Sequence, residues 1–72
     1  MVEVFKTNVS CREHADILIM QICKVFNDYR VNFDLEDCDN ILRVQSSAEK
    51  IHTPLLINLL KDFGFYAEVL PD

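Results

Sequence analysis

Residues 30–45 read RVNFDLEDCDNILRVQ: apolar Val31, Phe33 and Leu35 alternate with polar Arg30, Asn32 and Asp34, then Ile41, Leu42 and Val44 return after an acidic break. A period of two places alternate side chains on opposite sides of a strand. The spacing predicts a strand over Arg30–Glu36, a hairpin turn at Asp37-Cys38-Asp39-Asn40, and an antiparallel return strand over Ile41–Gln45. A hairpin with one apolar face must be covered, and the flanking sequence holds the covers.

Upstream, Ala15, Leu18, Ile22 and Val25 recur at helical spacing while Arg12, Glu13, Asp16 and Lys24 fall mainly on another side. A helix is expected from Cys11 to about Phe26, started by a Ser10/Glu13 capping box and ended by Asn27-Asp28. Before it, Val2–Thr7 mixes β-branched and aromatic residues with Glu3 and Lys6, as a strand with one covered face does. Downstream, Thr53-Pro54 predicts a second helix to about Phe63, with Leu55, Leu56, Leu59 and Leu60 facing the core, Lys61 in its last turn and Gly64 closing it. Tyr66–Leu70 reads as a last strand. The order strand, helix, strand, strand, helix, strand is that of an α+β ferredoxin-like βαββαβ sandwich, with two helices on one face of a four-stranded antiparallel sheet.

Seventy-two residues, half of them apolar and only one a glycine, fit a single domain over 1–72 with no linker. No apolar run approaches the roughly 18 residues that cross a bilayer, and Met1-Val2-Glu3-Val4-Phe5 does not open like a secretory leader, so a cytoplasmic protein without membrane insertion is expected. Three cysteines, Cys11, Cys23 and Cys38, match no disulfide scaffold and fit a reducing compartment. A net charge of −5, with seven dispersed basic residues, disfavours nucleic acid and suits a basic protein partner. The same charge also serves plain solubility.

The segment Val9-Ser10-Cys11-Arg12-Glu13-His14-Ala15 resembles the Met-x-Cys-x-x-Cys stretch of heavy-metal-associated domains and copper chaperones. Thr53-Pro54-Leu55-Leu56-Ile57 is similar to the start of that family's second helix, and Phe63-Gly64-Phe65-Tyr66-Ala67-Glu68-Val69 to its Gly-Tyr-x-Ala-x-Val exit. The resemblance spans nearly the whole chain and implies the same sandwich. It places Cys11 at the first ligand position, with His14 where the second cysteine stands and Val9 where the methionine stands. What it implies is a small metal-binding or chaperone-like module, not an enzyme.

Cys11 at a helix start has unpaired amides to stabilise a thiolate, and His14, three residues on, projects from the same side. A thiolate selects soft Cu(I), and a thiolate plus an imidazole also suits Zn(II), which usually takes four ligands. The remaining ligands are then expected from a homodimer sharing the metal or from the partner that receives it. The alternative is a degenerate heavy-metal-associated domain that binds no metal and acts as a protein interaction module. A Cys11 nucleophile with a His14 base has no substrate pocket to support it.

Other residues carry a functional and a plainer reading side by side. Cys38, in the turn, is a third ligand or a solvent-facing thiol, and the second is the default. Asp34, Glu36, Asp37 and Asp39 form an acidic docking patch or a solvated hairpin that discourages edge aggregation. Phe65 shields the metal or fills the core. Cys23 is expected as a small buried hydrophobe and His52 as a loop residue, while Ile17, Ile19 and Met20 form an apolar docking surface or are core or partly buried, the second being the default.

Overall fold

The computed structural model describes residues 1–36, 38–47 and 50–70. Its elements run β1 (Val2–Thr7), α1 (Arg12–Val25), β2 (Tyr29–Asp34), β3 (Ile41–Ser46), α2 (Thr53–Asp62) and β4 (Ala67–Val69). The strands form one antiparallel sheet in the order β2-β3-β1-β4, so the expected βαββαβ ferredoxin-like layout is the observed one. No helix among the described residues is long and apolar enough to cross a membrane.

The core lies between the helices and one sheet face. Phe5 of β1, Phe33 of β2, and Leu42 and Val44 of β3 meet Ala15, Leu18 and Ile22 of α1 and Leu56 and Leu60 of α2. Alternation along β2 is as the sequence demands, with Tyr29 and Phe33 buried while Arg30, Asn32 and Asp34 are exposed. Packing departs from the helical pattern at the ends of the apolar stripes. Val25, the last residue of α1, is exposed, and Phe26 takes its place inward by stacking on Tyr29 at 4.7 Å. Leu55 is exposed and Leu59 half-buried, because Leu56 and Leu60, four residues apart, carry the contact of α2 with the sheet. Ile17 and Met20 are likewise exposed, and only Ile19 of that trio packs on the core.

Both helices start at a different residue from the one the capping signals predict. Val9 is fully buried, which fixes where the chain turns. Cys11 therefore stays extended (φ −113°, ψ 130°) as the N-cap, its carbonyl accepting the Ala15 N–H at 3.0 Å, and the Ser10/Glu13 capping box does not form. In α2 the cap is His52, not Thr53. The Thr53 N–H donates to the carbonyl of buried Ile51 at 3.0 Å, and Leu56 N–H donates to His52 O at 3.1 Å. Strand bounds shift by one or two residues, with β2 spanning Tyr29–Asp34 and β4 narrowing to Ala67–Val69.

The close of α2 is the expected one, made specific. Gly64 N–H donates to Lys61 O at 2.9 Å and Phe65 N–H to Leu60 O at 2.9 Å, the paired bonds of a Schellman motif, with Gly64 left-handed at φ +89°. A Cβ on Gly64 would meet nothing within 4 Å, so Gly64→Ala is opposed by backbone conformation alone. It should lower stability by about 1 kcal/mol, read as a shift of the urea midpoint at unchanged m-value.

Candidate metal-binding site

Three loops converge at one end of the sheet, and backbone bonding joins them. Thr7 Oγ1 donates to Asn40 O at 2.6 Å and accepts the Val9 N–H at 3.2 Å; Thr7 N–H donates to Asp39 O at 3.2 Å. Asn8 N–H donates to Tyr66 O at 3.3 Å, and Asn8 Oδ1 accepts the Tyr66 N–H at 2.8 Å. The β1–α1 loop, the β2–β3 hairpin and the α2–β4 loop are therefore one surface, as the topology requires. Asn8 is the residue sequence reading passed over, although Asn is a residue whose side chain habitually bonds nearby backbone.

Cys11 and His14 stand on this end as N-cap and third helical residue of α1. These are the N-cap and N3 positions of the first turn, the two that a capping box would use. The Cys11 side chain makes no capping bond and is half-buried, leaving the thiol uncommitted to the helix amides; His14 is exposed. The imidazole lies 5.3 Å from the Phe65 ring, tilted by 52°. Phe65 is half-buried, packs on the core and lines a groove of about 440 Å³ with Ile57, Lys61 and Tyr66, so it is a core aromatic that also borders His14.

The other residues singled out in the sequence lie elsewhere or are differently engaged. Arg12 reaches away from Cys11, its guanidinium donating to Phe33 O at 3.3 Å and lying 3.7 Å from Asp16. Cys38 is exposed in the turn, and among the described residues no three of His, Cys, Asp and Glu are grouped to hold an ion. Cys23 is half-buried, its thiol 3.8 Å from Tyr29 O, and His52 borders Phe26 at 6.3 Å. Of the acidic residues, Asp34 and Glu36 are exposed, Asp39 lies 3.8 Å from Lys6, and Asp37 is outside the described residues.

On the same end the exposed Tyr66 hydroxyl donates to Glu68 Oε2 at 2.8 Å. The hydrogen bond to Glu68, reinforced by that carboxylate's charge, holds the phenol above its ordinary value. No protein-family model matches the chain, and no curated protein matches it.

Because the folded phenol is the weaker acid, the stability that this bond contributes is present below the ordinary tyrosine range, about pH 10, and is lost as pH rises through the raised value. Ultraviolet titration of phenolate should show the Tyr66 phenol titrating late and moving back toward the ordinary range in Glu68→Gln.

Proposed function

We propose that this chain is a small metal-handling module of heavy-metal-associated type, which takes Cu(I) or Zn(II) at Cys11 and His14 and passes it to a protein partner by ligand exchange. The observation that carries the reading is the pairing of a thiol and an imidazole at the two capping-box positions of α1, on an open end of the sandwich. The fit to an ion is partial. One thiolate and one imidazole suit a soft ion, while a closed Zn(II) site requires about four donors. A second copy or the receiving protein completes it, and such an open set of ligands is what transfer between proteins needs.

The residues divide the task simply. Cys11 binds the ion as thiolate, and His14 binds as neutral imidazole with Phe65 limiting the positions its ring can take. Protons compete at both donors, so affinity falls with acid. Asp34 and Glu36 on the same end favour a basic docking surface on the partner. The second reading, a degenerate domain that binds proteins and no metal, is favoured by the lack of a third donor grouped with these two among the described residues.

Titration of reduced protein with Cu(I) and Zn(II) against a competing chelator separates the two. The metal reading expects an affinity above about 10⁶ M⁻¹, equivalent to some 8 kcal/mol, that falls at least tenfold in Cys11→Ser and in His14→Ala. Binding weaker than this, or indifferent to both substitutions, leaves the interaction module.

A further inference from the structure

We propose that the free edge of β2 is a self-association surface, pairing antiparallel with β2 of a second copy about a two-fold axis at Asn32. The starting point is which backbone groups that edge leaves open. Met1 and Ser46 exchange both backbone bonds, each at 2.8 Å, so in the β1–β3 ladder it is Ser46, Val44 and Leu42 whose backbone faces β1. The intervening Gln45, Arg43 and Ile41 therefore face β2, where their partners are Arg30, Asn32 and Asp34. Those three spend their N–H and C=O groups on β3, which leaves Tyr29, Val31 and Phe33 with theirs directed outward.

The ends of this outward row are engaged within the chain. Tyr29 N–H donates to Phe26 O at 3.1 Å, Tyr29 O lies 3.8 Å from the Cys23 thiol, and Phe33 O accepts from Arg12. Its centre is not. Both backbone groups of Val31 and the N–H of Phe33 have no partner among the described residues. An antiparallel copy set with Val31 opposite the second Phe33 would satisfy all of them, using the remaining lone pair of Phe33 O.

The side chains select that register. With Val31 opposite Phe33, Asn32 lies opposite itself, and Arg30 lies opposite Asp34 of the other copy, twice by symmetry. Arg30 and Asp34 are both exposed on the open sheet face, and neither makes an ion pair among the described residues; the Asp34 carboxylate accepts only the Glu36 N–H, at 3.2 Å. Sliding the copy by two residues to set Val31 opposite itself would put Arg30 opposite Asn32 and lose both charge pairs. Opposite charges facing each other across strands stabilise pairing and like charges oppose it. The product is one continuous sheet of twice the width, with all helices on one side.

A six-residue edge makes a weak dimer. Sedimentation equilibrium over roughly 10 μM to 1 mM, in chelator so that no metal contributes, should show reversible monomer–dimer exchange in this range. Arg30→Asp and Asp34→Arg each place like charges opposite one another twice and should weaken the dimer about tenfold or more, while the double variant R30D/D34R should recover it. Circular dichroism confirms that each variant is folded. A strict monomer up to the top of the range, or a dimer indifferent to the single reversals, or failure of the double variant to recover, overturns the proposal. Because Cys11 and His14 are intact and no metal is present, none of these outcomes depends on the metal reading.

Discussion

The Thr7 hydroxyl is the joint on which the candidate site end depends. Buried at the last residue of β1, one of the two inner strands, it donates to the carbonyl of Asn40 and accepts from Val9, so a single oxygen ties the hairpin to the loop that starts α1. Asn8 then fastens the same loop to Tyr66. Removing the hydroxyl would leave two buried or partly buried backbone groups without their partner, a cost of about 1–3 kcal/mol in a domain this small. It would also loosen all three loops together. Val9 works with Thr7, since its full burial anchors the segment that delivers Cys11 to the helix start.

The fold was legible because its signals are periodic. Val31, Phe33 and Leu35 at every second position, and Ala15, Leu18 and Ile22 at helical spacing, are patterns that burial itself imposes. Capping was less legible. Ser10 and Thr53 have the right chemistry, but the helix starts are set by the burial of Val9 and Ile51, and a cap contributes less than burial of a Val or Ile. Val25 is exposed because its stripe continues past the last inward turn of α1, and Leu55 because Leu56 and Leu60 take the inward face of α2. For the candidate site, sequence offers only a thiol and an imidazole three residues apart, Cys11 and His14. The contacts around them, Asn8 to Tyr66, His14 to Phe65 and Arg12 to Phe33, join residues far apart in the chain with no local pattern to announce them.

Arg12 shows how one side chain can settle competing demands. Its place beside Cys11 in sequence suggests a charge for the thiolate, yet its guanidinium covers a carbonyl at the end of β2 and pairs with Asp16. An open strand edge is a standing invitation to other strands, and a charged side chain laid across one end of it narrows where pairing can occur. The guanidinium is thereby committed away from Cys11.

Three residues of pairing hold β4 to the sheet, and Phe65 and Tyr66 lead directly into it. Strands with few partners at a sheet edge open locally at far less free energy than the whole domain requires. Each such opening would release the Asn8 clasp and withdraw Phe65 from the His14 ring, leaving β1, β2, β3 and both helices intact. The His14 imidazole would then lose its ring neighbour while Cys11, fixed by its carbonyl bond from Ala15 N–H and by the buried Val9, stayed in place. The surroundings of His14 are thus coupled to the breathing of the last strand, through low local stability rather than through a dedicated lid.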